Sequence, residues 1–480
     1  MLMLTAVLLY LSILVLVGGL RSRRVKTGDD FLVAGRTLPA RVLVFTLLAT
    51  WVGSGSLFAG AGLGYRAGFP ALWQSAGAWV GIALIYFIAP RVRRIAQYTV
   101  PDILELRYGA TARVLGTITT VLAYGTIAAY QFRGGGRLLN VLTDGGVDPD
   151  TGALITMVFC VVFTSLAGML SIAYLDVGNG ILMTVGVTLA VVFLVGDAGG
   201  LGASLGALRP DQVSLFGTLG LQGSMALFLP TLFLLLGEAN MYQKFFSARD
   251  ERTARRAVVF WIVGTIVVET LIDSTGVLAS TIAPGLTEVQ SEEIVIRVAT
   301  DVLPAFMGVV LVCGAAAIIV STANSFLLTP ATNLIRDVYQ RFLNPSATDR
   351  QVIIYTRVIV ALLGVFGYAA GKFFPTILAM ALWAYTMYGT GITPALLGAL
   401  LWRRATRQGG VASILVGMLT TLVWEIVGLA RGVDGTPAYL LGWATIYPAL
   451  VLSIGTLIVV SLATPAQSDE EVAALYTGAA

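Results

Sequence analysis

An all-helical integral membrane protein is the fold class this sequence predicts, and three observations predict it. Of the 480 residues, 57% are hydrophobic and only 12% are charged, against about 25% charged in a typical soluble domain. Mean hydropathy is +0.86. Apolar segments of roughly 20 residues, the length that crosses a hydrocarbon core, recur thirteen times. The basic residues divide unequally between alternate loops. A water-soluble enzyme is excluded by the missing surface charge. A disulfide scaffold is excluded because the only two cysteines, Cys160 and Cys313, lie inside apolar runs, where a thiol packs as a small hydrophobe. No histidine is present, which removes the commonest general base, zinc ligand and proton carrier.

The segments run near 3–20, 40–65, 70–90, 110–138, 152–170, 172–196, 223–245, 257–280, 304–332, 351–370, 374–402, 409–429 and 441–463. The first is followed by Arg21, Arg23, Arg24 and Lys26. A signal peptide places its positive charge before the apolar run, so this segment is read as a retained first span. With the N-terminus outside, 23 of the 30 basic residues fall in cytoplasmic loops. The other seven, Arg66, Arg133, Arg137, Arg209, Arg297, Lys372 and Arg431, fall outside. Basic residues concentrate on the cytoplasmic side of membrane proteins, so the split supports an odd span count and a cytoplasmic C-terminus in the cell (inner) membrane. The basic residues thus set topology and meet lipid headgroups, and nucleic acid is not needed to explain them. The acidic tail Asp469, Glu470 and Glu471 reads as a solvated cytoplasmic end.

Two spans are interrupted. The second carries Gly53-Ser54-Gly55-Ser56 in mid-segment, and the seventh carries Pro230 followed by Gly237-Glu238-Ala239-Asn240. Broken backbone at membrane depth is tolerated only where it lines a cavity or is buried in protein. Glycine here also serves close helix packing, as the Gly60/Gly64 spacing illustrates. Interruptions five spans apart match a five-plus-five inverted repeat, with binding expected at the breaks. The implied organisation is 1–39 for the extra first span and loop, 40–198 and 199–404 for the two repeats, 405–464 for two further spans, and 465–480 for the tail.

Polar residues inside the spans come next. Asp176 opens the cytoplasmic end of the sixth span, and Glu238 sits beside the second break. Ionisable groups at such positions face a wet pathway or a partner. Glu269 and Asp273, four apart on the eighth span, read as solvated or lining an outer vestibule. On the ninth span Ser321 and Ser325 stack one turn apart on a face, with Thr322 beside them. Such hydroxyls, joined by unwound carbonyls, form an oxygen cage of the kind a hard cation prefers; the same spacing also serves ordinary bonding back to the carbonyl one turn earlier.

The stretches Asp30-Phe-Leu-Val-Ala-Gly-Arg36, Tyr98-Thr-Val-Pro101-Asp102-Ile-Leu-Glu105-Leu-Arg107-Tyr108, Asn240-Met-Tyr-Gln243-Lys-Phe-Phe-Ser247-Ala248-Arg249-Asp250, and Ser321-Thr322-Ala-Asn-Ser325 continuing to Arg336-Asp337-Val-Tyr339 together resemble the sodium:solute symporter family over almost the whole chain. The resemblance implies the leucine-transporter-type inverted-repeat fold with about thirteen transmembrane helices, and sodium (Na+) as coupling ion. It implies a main sodium site built from the side chains of Ser321 and Thr322 and the carbonyls of Ile318, Thr50 and Gly53. It extends to a further sodium site at Asp176 and Ser325, as in some members. The solute would meet Trp51, Ser54, Gln74, Glu238 and Tyr385.

Ala49-Thr-Trp51-Val-Gly53 is similar to the choline-transporting branch, whose aromatic cage uses cation–π contact. Two of its aromatic positions read Ile127 and Glu238 here, and the tyrosine of the sugar-transporting branch reads Leu234. Glu238 then faces an amino group of the solute or bonds to broken backbone. The expected activity is sodium-coupled import of a small organic solute by alternating access, in a monomer or weak oligomer. The alternatives are a proton-coupled carrier of the same fold using Asp176 or Glu238, a membrane-embedded enzyme, and a transporter-like sensor. Missing histidine and large soluble loops oppose the enzyme, and the short tail opposes the sensor.

Overall fold

The computed structural model describes residues 1–22, 27–95, 99–432 and 437–468. The basic residues Arg23, Arg24 and Lys26, the signature residue Tyr98 and the acidic tail lie outside them. The described chain is helical throughout, apart from one isolated parallel bridge between Leu38 and Ala248.

The principal helices are α1 (Leu2–Ser22), α2 (Ala40–Trp51), α3 (Gly55–Ala67), α4 (Leu72–Ile95), α5 (Val100–Tyr108), α6 (Ala110–Leu142), α7 (Pro149–Asp197), α8 (Gly220–Gly237), α9 (Ala239–Ser247), α10 (Glu251–Ile282), α11 (Ala305–Asn333), α12 (Asp349–Gly371), α13 (Ile377–Gly391), α14 (Thr393–Leu401), α15 (Arg407–Arg431) and α16 (Ile446–Ala463). Among the described residues ten helices are long and apolar enough to cross a membrane, and the pair α2/α3, bent by 52°, makes an eleventh. This falls short of the expected thirteen at two places. The fifth and sixth segments run together as the 49-residue α7. The eleventh is cut at Ile392 into α13 and α14, each too short to count alone.

Gly168 explains the first difference. Its φ of 63° and ψ of 170° leave the helical region, so two helices meet inside α7 at this residue. A Cβ there would lie 2.7 Å from the Phe31 ring. Only glycine takes this backbone without strain, and the break at Gly168 lies close to the expected junction between the fifth and sixth segments.

The breaks lie where glycine, proline and polar residues interrupt the apolar pattern. Helix α2 ends at Trp51, and Val52 is extended. The chain restarts at Ser54, whose N–H donates to Gln131 Oε1 of α6 at 2.9 Å, satisfying one of the orphan donors at a helix start. Helices α8 and α9 are separated by Glu238 alone, whose ψ of 112° leaves the helical region. Helix α11 packs against α7, and α10 against α3 and α4, so both breaks are enclosed by protein. The outer surface is apolar, with Phe87 77%, Leu362 63% and Val459 65% exposed. An apolar exterior over long helices suits a lipid solvent.

On the side read as cytoplasmic, Arg113 of α6 gathers three acids. It pairs with Asp102 and Glu105 of α5 and, at 2.8 Å, with Asp337 in the π-helical extension of α11, Leu334–Leu343. Thr99 Oγ1 adds a bond to Asp337 at 2.9 Å. Two of the sequence signatures are therefore halves of one buried ion network.

Candidate functional site

The break in α2 leaves the last carbonyls of that helix without intrahelical partners. Two of them, three residues apart, face α11. Thr322 Oγ1 lies 3.2 Å from the Ala49 carbonyl and 3.1 Å from that of Val52, and Ser321 Oγ lies 3.1 Å from Ala49. Two carbonyls and two hydroxyls thus converge with only two hydrogens among them. That leaves a surplus of lone pairs, the donor set a hard cation favours.

The geometry shifts part of the expected set. The Thr50 and Gly53 carbonyls were expected to line this cluster, and those of Ala49 and Val52 do so instead. Gly53 begins the next helical turn, and its carbonyl already accepts from Ser56 and Leu57. A Cβ on Gly53 would come within 3 Å of Gln131 and Thr322, so its role is close approach. Thr50 contributes its hydroxyl to a neighbouring cluster. Ile318 is fully buried one turn before Ser321.

Asp176 and Ser325 do stand beside this cluster. Asp176 accepts from Thr46 at 2.5 Å and from Ser321. Ser325 Oγ lies 3.0 Å from Thr50 Oγ1. A residue not singled out from the sequence joins them: Lys244 of α9, fully buried, donates to Thr50 Oγ1 at 2.5 Å and Ser325 Oγ at 3.3 Å.

On the other face of the break, Trp51 stacks on Tyr385 of α13, with ring centroids 6.5 Å apart. The Tyr385 hydroxyl lies 3.2 Å from that of Tyr130. Glu269 of α10 is not solvated, as its place near the end of a span had suggested. It is buried, and accepts from the indoles of Trp51 at 2.8 Å and Trp79 at 2.9 Å. Asp273, one turn on, accepts from Ser75 at 3.0 Å; its other oxygen, Oδ1, finds no partner among the described residues. Burial overturns the solvated reading of both, because hydropathy along α10 carries no record of the groups that α2 and α4 bring to it.

Glu238 is fully buried at the second break, and neither of its oxygens has a hydrogen-bond partner among the described residues. Gln74 is buried next to Ser75, with its carbonyl oxygen also unpartnered. Ser54 is not brought to this chamber by its side chain, which packs on the backbone of Gly134. Trp51, Tyr385 and Glu269 therefore form one cluster, and Glu238 lies within electrostatic reach of Tyr385.

Helices broken at membrane depth, with an oxygen cluster and an aromatic chamber at the break, define a secondary transporter. Residues 31–417 match the model of the sodium:solute symporter family, and the chain belongs to that family. It is an integral membrane protein and a sodium-coupled solute symporter, not an enzyme. The high-affinity proline transporter PutP of Bacillus subtilis is 25% identical, covering 87% of this chain and 91% of that protein. The sodium/pantothenate symporter of Escherichia coli is 26% identical over 89% and 88%. A sodium-coupled sialic acid symporter, solved substrate-bound and outward-open, superposes with a TM-score of 0.81 at 16% identity, over 97% and 99% of the two chains. Mhp1, a nucleobase-cation-symport-1 family transporter, superposes with a TM-score of 0.59 at 14% identity, over 93% and 98%. The fold is the leucine-transporter type.

Proposed function

We propose that this symporter imports a small organic solute bearing a protonated nitrogen, with sodium held by Ser321, Thr322 and the Ala49 and Val52 carbonyls. One observation carries the reading: four consecutive residues of the broken helix serve both ligands. Ala49 and Val52 turn carbonyls to the oxygen cluster, while Trp51 turns its ring to Tyr385 and its indole N–H to Glu269. Ordering this turn around sodium orders the wall of the chamber, and by reciprocity the bound solute raises sodium affinity by the same factor.

The solute class follows from charge. Glu269, Asp273 and Glu238 are buried, and Glu269 bonds the indoles of Trp51 and Trp79, a setting that favours a cation through ion pairing and cation–π contact. Proline, carried by the Bacillus subtilis relative, has such a nitrogen. Pantothenate, carried by the Escherichia coli relative, has a carboxylate and no amine. The protein works with its N-terminus outside and its C-terminus in the cytoplasm, as a monomer or weak oligomer among lipids.

A thermal-shift series on purified protein tests this, because a ligand of the native state stabilises it by mass action. Proline and other protonated amines should raise the midpoint, more so in sodium than in potassium. Carboxylates without an amine should not. Glu269→Gln removes the charge and keeps one acceptor oxygen, enough for one of the two indoles. It should weaken amine binding roughly 10- to 100-fold, the loss expected for a charged hydrogen bond. A best stabiliser lacking any cationic nitrogen would overturn the assignment.

A further inference from the structure

The cluster around Asp176 holds a positive charge of its own. The Lys244 ammonium donates to Thr50 Oγ1 and Ser325 Oγ, and these two oxygens are 3.0 Å from each other. Two carboxylates belong to the same region: Asp176, bonded to Thr46 and Ser321, and Glu238, at the break that opens α9. All three charged groups are at most 1% exposed. A buried ammonium persists only when paired and hydrogen-bonded, and here one of its two hydrogen-bond partners, Ser325, is a ligand that a second sodium at Asp176 and Ser325 would need. An ion there would meet a like charge tethered at bonding distance from the same oxygen.

We propose that Lys244 is a resident cation standing in place of a second sodium, so that this chain carries one sodium per solute. The inference rests on the sodium reading above, and goes beyond it in setting the stoichiometry. Lys244 also ties the ion cluster to the second break, since it sits on α9, six residues past Glu238. Thr50 and Ser325 are then ligands of the ammonium.

Equilibrium binding of radioactive sodium to the purified full-length protein counts the sites directly. Wild type should saturate at one ion per chain. Lys244→Gln, which removes the charge but keeps hydrogen-bonding capacity, should saturate at two. Adding Asp176→Asn should return the count to one, and Lys244→Arg, which keeps the charge, should stay at one. Two ions bound by wild type, or one bound by a Lys244→Gln protein with a native unfolding midpoint, would overturn the proposal. No sodium bound by folded wild type would instead overturn the sodium site itself, so the two failures are distinguishable. Because the wild-type count alone discriminates, the test stands even where Lys244→Gln does not fold.

Discussion

Ser321 and Thr322 each carry one hydroxyl hydrogen, yet between them face two backbone carbonyls and the Asp176 carboxylate. Without an ion, one donor is shared among several acceptors; with sodium, the surplus lone pairs become ligands. The double variant Ser321→Ala with Thr322→Ala should therefore lose sodium-stimulated uptake in proteoliposomes. It should lose only about 1 kcal/mol of stability per hydroxyl removed, read as a small shift in the unfolding midpoint without sodium. Uptake that still responds to sodium would show that the ion binds elsewhere. At this scale the sequence was partly legible. The hydroxyls stood out because Ser321 and Ser325, four apart, stack on one helical face with Thr322 beside them. The carbonyls that meet these hydroxyls, Ala49 and Val52, each precede by one residue those expected, because which carbonyls are orphaned depends on where α2 stops and α3 takes up its own hydrogen bonds.

The network around Arg113 belongs to the scale of elements. It clamps α5, α6 and the π-helical end of α11 together, and Asp337 is fully buried within it. Removing one partner from such a network leaves uncompensated charge. Arg113→Met should destabilise the protein by roughly 3–5 kcal/mol, seen as a lowered unfolding midpoint in detergent. Arg113→Lys should cost less. A Met variant as stable as wild type would show that the network does not hold these helices. Because α11 carries Ser321 and Thr322, this clamp also fixes the helix that faces the break. The signatures around Asp102 and Asp337 were visible as short motifs, but nothing local to either indicated that they meet across one arginine.

For the molecule as a whole, the charge split between loops predicts the orientation, and the orientation sets the energetics. Each sodium moved inward gains about 2.3 kcal/mol per 100 mV of membrane potential, in addition to its concentration gradient. The orientation is checked by labelling. Ser346 is exposed between the extension of α11 and α12, and the two native cysteines are buried. Ser346→Cys should react with an impermeant maleimide in inside-out vesicles and be protected in right-side-out vesicles. The opposite pattern would reverse the topology.

What the sequence determined by itself was the class of environment, the approximate segments, the two interruptions and the hydroxyl-bearing face of the ninth span. All of these are local properties, carried by hydropathy over a window of about 20 residues or by helical periodicity over a few turns. The tertiary structure alone decided which partners meet. Ser321 and Ala49 are 272 positions apart, Trp51 and Glu269 are 218 apart, and Lys244 and Thr50 are 194 apart. Inside a membrane each buried polar group must find its complement among other helices. Whether an acid is a solvated residue, a wall of the solute chamber or the counter-ion of a lysine is therefore settled by packing.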